Sequence, residues 1–111
     1  MPNGHNKSWV RLCAAVNGFR ARHGSWPSRV RFARGAIESL RETFSAEAFD
    51  KILNRIELVA DEDASVIAED DLGRSYNYGS EGFPKDPPDI QALDWFGVSP
   101  DRVPTDGPMH L

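Results

Sequence analysis

The chain has 111 residues, of which 40% are hydrophobic and 27% are charged, and its formal net charge is -4. This length supports one hydrophobic core, and the composition is that of a soluble globular protein. No apolar run approaches the roughly 20 residues that a membrane span needs. The N-terminus lacks the apolar segment of a signal peptide, and Cys13 is the only cysteine. We therefore expect one cytoplasmic domain with no intrachain disulfide and no membrane contact.

The charges are divided unevenly along the chain. Up to Ile56 there are ten Lys and Arg residues and four acidic ones, whereas from Glu57 onwards there are three basic residues and thirteen acidic ones. Such a division predicts one of two arrangements. Either the basic part binds a polyanion, or the acidic part of the chain covers the basic part.

The first predicted element is a helix from Lys7 to about Arg22, after a flexible lead of residues 1–6. Gly24 is well placed as the residue that ends this helix. A short strand follows at Arg29–Phe32, where apolar and basic residues alternate strictly, so that the two arginines share one face. The apolar stripe of the helix consists of Trp9, Leu12, Cys13, Val16 and Phe19.

Residues 35–60 predict two further helices and a second strand, and we expect the rest of the chain to pack around them. Ser45 is suited to cap the second helix of this pair, because its hydroxyl can accept a hydrogen bond from the first turn. Apolar residues then fall on alternate positions in Ile56–Ala60, which is typical of a strand. The helical spacings are those of Ile37, Leu40 and Phe44, and of Phe49, Ile52, Leu53 and Ile56.

The remaining predicted elements are a turn, a hairpin and a tail. Three consecutive acids at 61–63 indicate a solvated turn, and the hairpin strands are Ser65–Glu69 and Arg74–Tyr78, with Gly73 supplying a positive φ in the connection. We place the domain at residues 7–80. Residues 81–111 form a Pro- and Gly-rich tail with one short helix at about 89–96, which we expect to dock on the domain while residues 99–111 stay mobile.

The predicted fold class is α+β, in the order helix, strand, helix, helix, strand, hairpin. This order resembles that of a winged helix, in which a three-helix bundle carries a small sheet and a wing; the resemblance covers roughly Lys7–Tyr78. A small antiparallel or mixed sheet with the helices on one face fits the same order. Strand order and oligomeric state stay open.

Two charged sets are candidate binding sites. The basic set could neutralise nucleic-acid phosphates, with Trp26 available to stack on a base, and in a winged helix the outward residues of the second paired helix would read bases. The acidic set could face a basic protein partner. The basic set is Lys7, Arg11, Arg20, Arg22, Arg29, Arg31, Arg34, Lys51 and Arg55; the acidic set is Asp61, Glu62, Asp63, Glu69, Asp70 and Asp71.

No motif indicates a metal, a cofactor or a reaction. Counted from Asp61, the sixth and twelfth positions of a calcium loop are Val66 and Leu72, where glycine and glutamate are needed. His5, His23 and His110 are far apart and do not make a zinc spacing. We therefore expect a small non-enzymatic interaction protein of the inhibitor, immunity or adaptor type, which binds a protein partner through an acidic hairpin. A nucleic-acid-binding module and a small enzyme are the alternatives.

Overall fold

A computed structural model describes residues 7–63, 65–86 and 88–98. It shows one small α+β domain with a four-stranded mixed sheet and five helices, which confirms the predicted fold class. The expectations about residues 1–6 and 99–111 lie outside the described residues. The elements are α1 (Lys7–His23), β1 (Arg29–Phe32), α2 (Arg34–Thr43), α3 (Ala46–Arg55), β2 (Glu57–Ala60), β3 (Ile67–Glu69), β4 (Ser75–Asn77), α4 (Tyr78–Glu81) and α5 (Ala92–Phe96).

The sheet has the strand order β2-β1-β3-β4. β1 pairs in parallel with β2 and antiparallel with β3, and β3 pairs antiparallel with β4. A parallel pair needs a long crossover connection, and α2 and α3 supply it. The mixed sheet is thus the arrangement that the chain adopts, and the likeness to a winged helix is limited to the order of its elements.

One face of the sheet is apolar and the other is charged. Val30 and Phe32 of β1 are buried, and the register places Val30 beside Ala68, which in turn lies beside Tyr76. Helices α1, α2 and α3 contribute apolar side chains to the same core cluster, so they cover this face. The opposite face carries Arg29 and Arg31.

The helix cap and the two glycine positions that the sequence predicted are found in the structure. The Ser45 hydroxyl accepts a hydrogen bond from the Ala48 N–H at 3.1 Å and so caps α3. Gly24 follows α1 with φ 76°, and Gly73 has φ 86° between β3 and β4. Strand β2 begins at Glu57 rather than at Ile56, because Ile56 closes the last turn of α3 through its N–H.

The segment after β4 belongs to the same compact body. A helix that the sequence did not indicate, α4, follows β4 directly, and the short helix expected at 89–96 covers only Ala92–Phe96. Helix α5 packs between α1 and α3 and buries Ala92 and Phe96. Asn17 of α1 fixes its start, since its Oδ1 accepts from the Ala92 N–H at 2.7 Å.

Close packing of α1 against β4 generates a stability prediction. A methyl group at Gly18 would overlap the ring of Tyr76, whereas one at Gly35 in α2 meets open space. We expect Gly18→Ala to lower the free energy of unfolding by about 1–3 kcal/mol, because the ring has to move. Gly35→Ala is the matched control and should raise it by up to about 1 kcal/mol through helix propensity. Urea unfolding of both variants measures this; equal effects would contradict the packing.

Candidate functional site

Two arginines of β1 form the centre of the charged sheet face. Arg29 and Arg31 point away from the core, and the neighbouring strands place carboxylates on both sides of them. Because β2 and β3 both pair with β1, acids from separate parts of the chain converge there. We call this surface the acidic face; it consists of Arg29, Arg31, Glu57, Asp61, Glu69 and Asp71.

Glu69 joins the two arginines. Its Oε2 accepts from Arg31 Nε at 2.9 Å and its Oε1 accepts from Arg29 Nη1 at 3.2 Å. The hydrogen bond from Arg31 is the main reason why the pKa of Glu69 is lowered, and Arg29 lowers it further. Glu69 is therefore a fixed anion of the sheet.

The other three carboxylates form the rim of the acidic face. Arg29 binds Asp71 and lies 4.0 Å from Glu57, while Arg31 lies 3.5 Å from Asp61. The side chains of Glu57 and Asp71 are 72% and 76% exposed, whereas that of Arg29 is only 23% exposed. Four carboxylates thus surround two guanidinium groups. Around Arg29 the carboxylates of Glu57 and Asp71 are the more exposed groups, whereas the side chains of Arg31 and Asp61 are exposed to a similar extent, 37% and 31%.

Part of the predicted acidic set lies elsewhere. Asp70 is buried in the hairpin connection, where its carboxylate accepts from Arg74 Nε at 2.8 Å and from the Leu72 and Arg74 N–H groups at 3.0 Å. Burial alone would raise the pKa of Asp70, but these hydrogen bonds lower it. Asp70 therefore holds the turn, and its side chain is turned away from solvent. Glu62 accepts from the Arg34 N–H at 2.9 Å, and Asp63 is exposed beside it.

The predicted basic set is not gathered into one surface. Arg22 binds Glu81, Arg20 binds Asp89, and Arg29 and Arg31 belong to the acidic face. The acidic part of the chain therefore covers much of the basic part, as one of the two readings of the charge division expects. The remaining members lie on separate helices: Lys7 and Arg11 on α1, Arg34 at the start of α2, and Lys51 and Arg55 on α3.

Trp26 does not offer the free ring that base stacking needs. Its ring stacks on Trp95 of α5 with centroids 4.2 Å apart and planes 3° apart. The guanidinium of Arg20 lies 4.8 Å from the centroid of Trp26, and that of Arg55 lies 5.7 Å from that of Trp95. The expectation that Trp26 is available is thus wrong, because α5 occupies it.

An open cleft of about 500 Å³ lies beside α1 and is lined by residues of α1, β4, α4 and the segment that follows α4. Three of its polar side chains are hydrogen-bonded: Arg22 Nη1 donates to Glu81 Oε2 at 2.8 Å, and the Tyr76 hydroxyl donates to the Gly82 carbonyl at 2.7 Å. The pKa of Glu81 is lowered by Arg22, and that of Tyr76 is raised by burial and by Glu81. The cleft therefore presents an ion pair and a bound phenol, and the exposed side chains of Lys85 and Asp86 also line it.

Cys13 lies on the buried side of α1. Burial raises the pKa of the Cys13 thiol to about 12, so it is a small apolar side chain of the core at neutral pH. Within residues 7–63, 65–86 and 88–98 there is no group of three or more His, Cys, Asp or Glu side chains placed to hold a metal ion.

Sequence reasoning missed Glu57 as a member of the acidic face. The sequence placed Glu57 in the predicted strand Ile56–Ala60 but gave it no partner, and only the parallel register opposite Arg29 gives it a role. Alternation with Leu58, which packs against the core, was the available signal, because it puts Glu57 on the outward face of β2. The arginine that it faces could not be identified without knowing which strands pair.

The chain matches no family model, no curated protein and no solved structure in the comparisons. None of the helices in the described part is long and apolar enough to cross a membrane.

The lowered pKa of Glu69 predicts a pH dependence of stability. A carboxylate whose pKa is lower in the folded state stabilises it above the unfolded value of about 4.3, and this contribution is lost as the pH falls through the folded value. We expect Glu69→Gln to lower the free energy of unfolding by about 1–2 kcal/mol at neutral pH and by much less near pH 3. Urea unfolding at both pH values measures it, with Glu38→Gln on the exposed side of α2 as the control. A Glu69→Gln effect that is the same at both pH values would contradict the ion-pair network.

Proposed function

We propose that the protein is a small non-enzymatic interaction module that binds a basic protein surface through its acidic face. The observation that supports this most is the imbalance at the centre of the face, where two partly buried arginines are surrounded by four carboxylates. Two negative charges stay uncompensated within this group. Glu62 and Asp63, in the adjoining turn, add to the same sign.

The arginines also hold the carboxylates in place before a partner arrives. Glu69 is bound at both oxygen atoms, and Asp61 and Asp71 are each bound to one arginine. Side chains that are already ordered lose less conformational freedom on binding, which favours association. The face therefore combines negative charge with fixed geometry, as an inhibitor or an adaptor of a basic protein requires.

The expected binding is dependent on salt. Charge complementarity between two surfaces mainly accelerates their encounter, and salt screens it over about 8–10 Å at physiological strength. The on-rate should therefore fall steeply as salt is added, while the dissociation rate changes less.

Charge reversal on the acidic face tests the proposal. The variant Glu57→Lys/Asp63→Lys/Asp71→Lys should lose its partners in a pull-down from native extract by about tenfold or more in recovered amount, because attraction becomes repulsion. The matched control is Glu38→Lys/Glu42→Lys/Asp50→Lys on α2 and α3, which changes the net charge equally and should keep the partners. Circular dichroism and the melting temperature confirm that both variants fold. Identical sets of partners for the two variants would remove the acidic face from the proposal.

A gel-shift titration separates this function from nucleic-acid binding. We expect no shift of duplex or single-stranded DNA or RNA at about 50 mM salt, since Arg22, Arg29 and Arg31 already bind carboxylates and phosphates would have to displace them. A shift that is lost in Arg29→Glu/Arg31→Glu would instead favour the basic set as a nucleic-acid site.

A further inference from the structure

The two edge strands of the sheet, β2 and β4, differ in whether side chains bind their outward backbone groups. At β4 three of the four outward backbone groups contact side chains: the Ser75 carbonyl oxygen lies 3.0 Å from His23 Nε2, the Asn77 N–H donates to Glu81 at 3.3 Å, and the Asn77 carbonyl accepts from Ser80 at 3.4 Å. Exposed strand edges are open to pairing with another chain, and such contacts block them. The β4 edge is therefore closed by the protein itself.

The β2 edge lacks this protection among the described residues. The N–H groups of Glu57 and Asp61 donate towards the β1 side at 3.0 and 2.8 Å, so the parallel ladder uses alternate residues of β2. The N–H and C=O groups of Leu58 and Ala60 consequently point to the opposite side, where no further strand is found among the described residues. In the described part of the chain no side chain is found hydrogen-bonded to them, and Ala60 is exposed.

We infer that the partner docks by adding an extended basic segment to β2 as a fifth strand. This inference rests on the proposed function, and it specifies how the acidic face is used. Strand addition supplies affinity through backbone hydrogen bonds and specificity through alternate side chains. Leu58 and Ala60 would provide the backbone groups for pairing, and the carboxylates of the acidic face would favour a segment with basic side chains.

The outward residues of β2 define the side chains that the segment needs. Glu57 and Asp61 lie at the two ends of the outward row, as their contacts with the β1 arginines show, and Val59 lies between them. Directly opposite residues on one face of a sheet interact, so the added strand should present a cation at each end of its outward row and an apolar residue between them. Because side chains alternate along a strand, the two cations are four residues apart.

A second copy of this chain does not fit the same edge. If two β2 strands paired antiparallel, Glu57 of one copy would lie near the acidic turn, Asp61 to Asp63, of the other. Like charges that face each other across a strand pair are destabilising. The protein should therefore stay monomeric while it binds a basic segment.

A synthetic peptide provides the probe. Its five residues carry lysine at the first and fifth positions, valine at the third and threonine at the second and fourth, with both ends blocked. On titration into the ¹⁵N-labelled protein we expect amide exchange at Leu58 and Ala60 to slow by about tenfold at saturation, because their N–H groups become hydrogen-bonded. The amides of Glu57 and Val59 should change less, since they already face β1.

A proline variant separates strand addition from simple charge attraction. Ala60→Pro removes an outward N–H without removing a hydrogen bond to β1, and proline is tolerated in this way on edge strands. We expect it to weaken peptide binding by about tenfold, since backbone pairing is interrupted, while the control Ala60→Val, which keeps the N–H, binds as the wild type does. A second test uses the wild-type protein and a peptide that is N-methylated on alternate amides. This peptide keeps both lysine charges but lacks the N–H groups that strand pairing needs, so loss of its binding supports the inference.

Several results would overturn the strand addition. Peptide binding that falls on charge reversal of the acidic face, but is insensitive both to Ala60→Pro and to N-methylation, would leave the proposed function in place and remove the added strand. The same conclusion would follow if the peptide did not bind at all while charge reversal still removed the native partners in the pull-down. A concentration-dependent dimer that dissociates in Ala60→Pro, measured by light scattering, would assign the edge to a second copy. Failure of the proposed function itself is distinguished by the pull-down, which does not depend on the peptide.

Discussion

The alternation of residues along β1 is the constraint on which this structure depends. Val30 and Phe32 enter the core, and Arg29 and Arg31 lie on the other face because successive side chains of a strand point in opposite directions. β1 is also an inner strand of the sheet, so its arginines have neighbours on both sides. The same four residues therefore organise the hydrophobic core and collect the carboxylates of the acidic face.

The C-terminal segment has a different part in the fold. It does not extend the sheet; it closes the core between α1 and α3, where Phe96 is buried and Trp95 stacks on Trp26. The stack is extended at both ends by guanidinium groups, and Arg55 Nε also donates to the Trp95 carbonyl at 3.1 Å. Cation–π contacts of this kind are strongest where the ring is shielded from water. A helix of five residues is too short to be stable alone, so these contacts hold it in place.

Much of the fold could be predicted from the sequence because its signals are local. The capping Ser45, the alternation in β1, the glycine after α1 and the glycine between β3 and β4 all act through residues close to them in the chain. Pairing of β1 with β2 is not local, since 24 residues separate the end of one strand from the start of the next. Nothing in either strand specifies a parallel partner, and the sequence therefore left the strand order open.

The candidate site was predictable only in part for the same reason. Runs of acids at 61–63 and 69–71 are visible in the sequence, but the exposure and the hydrogen-bond partners of each acid depend on its tertiary position. Asp71 lies at an exposed rim, whereas Asp70, next to it, turns inwards to bind Arg74 and two backbone N–H groups. The charge division along the chain likewise gave no way to decide between an external polyanion and internal pairing. The register shows that internal pairing occurs, because it places Glu57 and Glu69 on either side of Arg29.

Internal pairing changes what the acidic half of the chain can do. If the two halves cancelled completely, the surface would be neutral and would offer little to a charged partner. Here the side chains of Glu57 and Asp71 are far more exposed than that of Arg29, which they contact, so pairing orders these two acids and leaves their outer sides accessible. A carboxylate that is hydrogen-bonded on one side can still accept a further donor, since each oxygen has two lone pairs. The network is therefore better understood as a support for a negative surface than as its neutralisation.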